Sequence, residues 1–144
     1  MVMEARARDF GELRKLVEGS SAEEAEAKAT DFYGGPEEAL DVLFALFQDS
    51  FVPENASGVA GEFQFDVTTQ AGMREYTVLV SDGRCETRRG AGASATAVTA
   101  IGLGDLLLLS TGQTSGFHLS AEKRLTTRGD LGAAIGFKDW FRLG

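Results

Sequence analysis

Residues 36–51 read Pro-Glu-Glu-Ala-Leu-Asp-Val-Leu-Phe-Ala-Leu-Phe-Gln-Asp-Ser-Phe, and they constrain this chain more than any other stretch. Leu40, Leu43, Phe44, Phe47 and Phe51 recur at helical spacing, which places five large apolar side chains on one helix face. Ala39, Val42 and Leu46 widen that face, and Asp41, Gln48 and Asp49 lie opposite, toward water. Pro36 suits a first helical turn, where its missing N–H costs nothing. Glu37 and Glu38 then favour the positive end of the helix dipole and do not read as an acid/base pair. A face this wide and aromatic must be covered, by the chain's own sheet alone or by a guest as well.

A chain of 144 residues forms one domain with one real core. No apolar run approaches the roughly 18 residues of a membrane span, and Met1-Val-Met-Glu-Ala-Arg-Ala-Arg8 leads into no signal-peptide core. The end, Arg142-Leu-Gly144, is not a peroxisomal address. Cys85 is the single cysteine, so no internal disulfide forms and a reducing, cytoplasmic setting is expected. The net charge of −8 is uneven: residues 1–57 carry 13 acidic and 5 basic side chains, and residues 58–144 carry 9 of each. Acidity of this kind speaks against a nucleic-acid partner, which needs clustered cations. It allows at most transient contact with an anionic membrane. A solubilising helical surface is the simplest reading of it.

Along the chain, Phe10, Leu13, Leu16 and Val17 predict a first helix over residues 5–18, ended by Gly19. Ser21-Ala-Glu-Glu24 has capping-box spacing and starts a second helix over 22–30, poor in large apolar residues and expected at the surface. After the aromatic helix and a turn at 53–58, the period changes to alternation. Phe63, Phe65 and Val67 oppose Glu62, Gln64 and Asp66 in a first strand. Tyr76, Val78 and Val80 mark a second, and Asp82-Gly83 is a two-residue hairpin signal leading to a third over 85–88. A fourth strand is expected over 95–101. Leu106 to Leu109 then make a helix without a polar face, capped by Gly104 or Asp105. A fifth strand over 123–128 and a closing helix over 131–141 complete the order. The fold class is therefore α+β, with a five-stranded, mainly antiparallel twisted sheet covered on one face by helices.

This run resembles the sterol carrier protein-2 (SCP-2) family in its bacterial, stand-alone form, over residues 36–144; residues 1–35 stand outside it as a helical N-terminal extension. The resemblance rests on Gly-Glu-Phe-Gln-Phe-Asp66, on Tyr76-Thr-Val-Leu-Val-Ser-Asp-Gly83, and on Thr96-Ala-Val-Thr-Ala100 leading into Asp105-Leu-Leu-Leu-Leu-Ser-Thr-Gly112. Leu125-Thr-Thr-Arg-Gly-Asp-Leu131 before the closing helix completes it. The resemblance implies a hydrophobic tunnel between sheet and helices that holds a sterol, a fatty acyl chain or a similar apolar molecule. Its expected lining is Leu43, Phe44, Phe47 and Phe51, then Phe63, Phe65, Tyr76 and Val78, then Leu107, Leu108 and Phe117, and finally Leu131, Ile135 and Trp140.

Groups that carry chemistry are sparse. His118 is the lone histidine and sits beside Phe117 and Leu119, which suits a packed or surface residue better than a catalytic one. Ligand spacing for a metal is missing, and Cys85 has no visible His–Asn or His–Asp context. Gly102-Leu-Gly104 lacks the third glycine of a dinucleotide loop, so no cofactor is expected. Arg88-Arg89 could hold an anionic head group but suits a solvated strand end. The first reading is thus a non-catalytic binder and carrier of apolar molecules, monomeric or homodimeric. The alternatives are an interaction or dimerisation module with a filled core, and an enzyme using His118 on a hydrophobic substrate.

Overall fold

The computed structural model describes residues 10–142. The expected helical residues 5–9 and the terminal Leu143 and Gly144 lie outside that range. The first described helix, α1 (Phe10–Val17), buries Phe10, Leu13 and Val17 at helical spacing. The second, α2 (Ala22–Tyr33), begins with the expected capping box: Glu24 N–H donates to Ser21 Oγ, and Ser21 N–H donates to Glu24 Oε1. It runs one turn further than its composition suggests and ends where Gly34 turns left-handed.

Helix α2 lies at the surface as expected, but one side of it is sealed. Ala25 and Ala29 are fully buried, because α2 packs closely on α4 (Leu103–Ser110). Small residues are what permit the approach: a Cβ on Gly104 would sit 1.9 Å from the Ala22 carbonyl oxygen. Helix α4 begins at Leu103 after Gly102, so neither Gly104 nor Asp105 caps it. Asp105 instead accepts two bonds from Arg124, at 2.7 Å from Nη2 and 3.1 Å from Nε.

Helix α3 (Pro36–Asp49) is the aromatic helix, with Leu40, Leu43, Phe44 and Phe47 buried. A single 3-10 turn, Pro53–Ala56, leads to the sheet. Its strands are β1 (Gly61–Thr69), β2 (Gly72–Ser81), β3 (Arg84–Arg89), β4 (Ala97–Gly102) and β5 (Leu125–Gly129), in the order β3-β2-β1-β4-β5. The pairs are antiparallel except β1 with β4, which run parallel. At the β2–β3 hairpin Asp82 and Gly83 both have positive φ, as a tight two-residue turn requires.

Register fixes which residues share a face. Phe63 pairs with Val78 and Ala97, Phe65 with Tyr76 and Thr99, and Val67 with Ile101, which pairs onward with Leu125. Helices α3 and α4 and the C-terminal segment cover this face, and α1 and α2 pack over α3 and α4. Between α4 and β5 lies the short helix α5 (Gly116–Ala121).

The closing helix is shorter than the apolar pattern suggests. Helix α6 (Leu131–Gly136) gives way at Gly136 to a 3-10 turn, Phe137–Trp140. Two glycines within six residues lower helix propensity by roughly 1 kcal/mol each, which fits an early stop. The last described residues return to the segment after α3. Val52 N–H donates to the Trp140 carbonyl at 2.7 Å, Arg142 N–H donates to the Ser50 carbonyl at 2.8 Å, and Phe51 bridges Phe141.

Candidate functional site

The space between α3 and the sheet is filled with rings. Phe44 stacks on Tyr76 and meets Phe65 and Phe47 at centroid separations of 5.5 Å each. Phe137 sits at the centre, with ring centroids between 4.7 and 6.1 Å from those of Phe47, Phe63, Phe65, Trp140 and Phe141. Trp140 closes on Phe63 at 5.2 Å, and Phe10 reaches Phe47 from α1 at 5.4 Å. Offset and tilted pairs of this kind each add about 0.5–1.5 kcal/mol beyond burial alone.

Of the lining expected from sequence, Leu43, Phe44, Phe47, Phe63, Phe65, Tyr76, Val78, Leu107 and Trp140 are brought together in the buried core. Phe51 and Leu108 are half-buried beside it. Phe117, Leu131 and Ile135 are not part of it: they are 88%, 55% and 74% exposed. At about 100° per residue Leu131 and Ile135 fall on one side of the closing segment and Phe137, Trp140 and Phe141 on the other, so burying the second set against the sheet leaves the first in water. Phe137 and Phe141 were visible as apolar positions of the closing helix, but no local signal marks which of its sides meets the sheet.

A polar link edges the core. Tyr76 Oη donates to Asp41 Oδ1 at 2.5 Å, and Asp41 also takes Nε and Nη2 of Arg89. Asp41 is therefore half-buried and bonded, not free on the water side of α3. Burial, with the Asp41 carboxylate next, raises the phenol pKa above its ordinary value of 10.0. These residues edge an open concavity of about 240 Å³, completed by Ala45, Gln48, Asp49, Thr87 and Arg88. A second, of about 420 Å³, lies against Phe10, Phe51, Val52, Pro53 and Arg142, where the C-terminal segment meets the residues after α3.

His118 is exposed, with Nε2 3.5 Å from Glu122 Oε2. Burial pushes the Cys85 thiol up to about 12, far from a reactive thiolate. Among the described residues no three His, Cys, Asp or Glu side chains are grouped as metal ligands, and no helix is long and apolar enough to cross a membrane. Among the described residues the buried Ser110 hydroxyl finds no hydrogen-bond partner; it lies on the same stripe of α4 as Leu103, Leu106 and Leu107.

Comparison with known proteins places this geometry. Residues 40–142 match the model of the SCP-2 sterol transfer family. Sterol carrier protein 2 like 2 of Aedes aegypti superposes with a TM-score of 0.62 at 18% identity, over 73% of this chain and 98% of that one. The apo form of sterol carrier protein 2 of Yarrowia lipolytica gives a TM-score of 0.55 at 15% identity, over 66% and 90%. A stereoselective inverting sec-alkylsulfatase of a Pseudomonas species gives 0.63 at 12% identity, over 92% of this chain but 27% of that larger one. The last match reaches into the helices ahead of residue 40 as well. These likenesses establish the fold. No curated protein matches the chain.

Proposed function

Since the chain belongs to the SCP-2 sterol transfer family, we propose that it binds and carries an apolar lipid, a sterol or a fatty acyl compound, in the cytoplasm and without turnover. The observation that carries this reading is the continuous apolar interior between α3 and the sheet, walled by Leu43, Phe44, Phe47, Phe63, Phe65 and Val78. The guest takes the space that Phe137 occupies in this structure. Phe137 comes from the C-terminal segment, which belongs to neither α3 nor the sheet, so its departure leaves both walls of the space in place. Each buried CH₂ of a guest contributes about 0.8 kcal/mol, so an acyl chain needs no charged contact to be held. Leu107, Leu108 and Phe51 border the same space.

Native mass spectrometry of protein purified from cells, together with titration of a fluorescent fatty acid, tests the proposal. A co-purifying lipid, saturable uptake and a change in Trp140 emission are expected, because Trp140 lies against Phe63 and Phe137. Neither bound lipid nor saturable uptake would sink it.

A further inference from the structure

Phe117, Leu131 and Ile135 are large apolar side chains left in water, and all three sit on the two short helices that pack against the edge strand β5. Helix α5 leads into β5 and α6 leaves it, so the three lie along one margin of the fold. The same stretch differs in charge from the rest. Residues 116–142 carry five basic and three acidic side chains, in a chain whose net charge is −8. Lys123, Arg128 and Lys138 are exposed and form no ion pair among the described residues. Of the three acids, Glu122 is paired with Arg124, Asp130 caps α6, and Asp139 is exposed beside Lys138.

We propose that the α5–β5–α6 margin is a docking surface for an anionic phospholipid bilayer, with Phe117, Leu131 and Ile135 entering the interface and Lys123 and Lys138 meeting the head groups. Apolar anchors framed by cations are the composition that an interface of this kind selects, because burial and attraction to anionic lipid add. The acidic excess of residues 1–57 does not forbid the contact. It orients it, by repelling the helical N-terminal part from the same membrane. The inference rests on the carrier reading, since the donor and acceptor of a carried lipid are membranes, and it names the surface through which they are met.

The test is co-sedimentation of the purified full-length protein with vesicles of phosphatidylcholine alone and of phosphatidylcholine mixed with phosphatidylglycerol. Binding is expected to the mixed vesicles and to weaken with added salt. Phe117→Ser and Ile135→Ser should each lower the affinity by roughly tenfold. Lys123→Gln and Lys138→Gln should each lower it by about fivefold. All four side chains are exposed, so the variants fold, and fatty acid uptake in the absence of vesicles reports separately on the interior. Uptake without vesicle binding overturns the docking surface and leaves the carrier reading standing. Vesicle binding without uptake does the reverse. Equal binding to both vesicle types, or binding unchanged by the Ser variants, also overturns it. So does a dimer in solution that Phe117→Ser and Ile135→Ser dissociate, because the margin is then covered by a second copy.

Discussion

The ring of Tyr76 lies flat on the ring of Phe44, with centroids 4.6 Å apart and planes 6° from parallel, while its hydroxyl bonds to Asp41 one helical turn before Phe44. One side chain of β2 thus joins α3 at two points, one apolar and one polar. Tyr76→Phe keeps the stacking and removes the polar link. Asp41 still holds Arg89, so no carboxylate is orphaned. A loss of about 1 kcal/mol is expected from urea unfolding, the usual worth of a single such bond. A loss several times larger would mean that Asp41 depends on the phenol and not on Arg89.

Phe137 separates stability from binding. Phe137→Ala removes the ring that touches Phe47, Phe63, Phe65, Trp140 and Phe141, and should cost roughly 3–5 kcal/mol of stability. If the guest replaces this ring, the variant binds bulkier or longer lipids more tightly than the parent does. Phe47→Ala carries a similar cost but should not widen the range of guests as much, since Phe47 belongs to the wall. Titration of both variants with a chain-length series of fatty acids gives the comparison.

The contact between α2 and α4 depends on a hydrogen atom at Gly104. Gly104→Ala forces a methyl group against the Ala22 carbonyl oxygen, and backbone has to move. Overpacking of this kind costs about 3 kcal/mol, more than the improved helix propensity returns. A variant as stable as the parent in thermal unfolding would show that α2 is only loosely seated.

Two acids of the sheet keep their protons longer in the fold than in the unfolded chain. Burial moves the Cys85 thiol from 9.0 to about 12, and Tyr76 is also raised, by burial and Asp41. Raised values mean that the fold binds protons more tightly, so the stability from these groups is complete below the unfolded pKa and lost as pH rises through the folded one. The urea midpoint is expected to fall from about pH 9 toward 12, and Cys85→Ala to flatten the first part of that fall. A midpoint level across that range rules this out.

Ser110 offers a change in the opposite direction. Its hydroxyl is buried with no partner among the described residues, so Ser110→Ala removes an unmet polar group and should leave stability unchanged or raise it by about 1 kcal/mol. A marked loss would reveal a bonded partner, such as a guest's head group or an ordered water.

What could be read from the sequence follows from how local each signal is. The face of α3, the alternation of β1 and β2, the Asp82-Gly83 turn and the Ser21–Glu24 box each lie within a few residues, and each stands in the structure. The features that departed from expectation depend on residues distant in sequence. Asp41 looked like a solvated position until Tyr76 and Arg89 arrived from two strands. Ala25 and Ala29 looked exposed because small residues give no hydrophobic pattern, although they suit a close helix crossing. Of the expected site, the part on α3, β1 and β2 came together, whereas Phe117, Leu131 and Ile135 did not. Their direction is decided by short helices whose lengths no periodicity fixes.

The tie between the C-terminal segment and the residues after α3 has a kinetic consequence. A bridge from Phe51 to Phe141, the bonds from Val52 and Arg142, and one from Asn55 Nδ2 to the Asp139 carbonyl tie down the segment that delivers Phe137. If that segment must lift before a lipid enters, opening and entry are successive events, and the first does not involve the lipid at all. The observed uptake rate then climbs with lipid concentration only until every opening is used, and levels off at the opening rate itself. Two lipids of very different affinity would share that ceiling and differ in how long they stay.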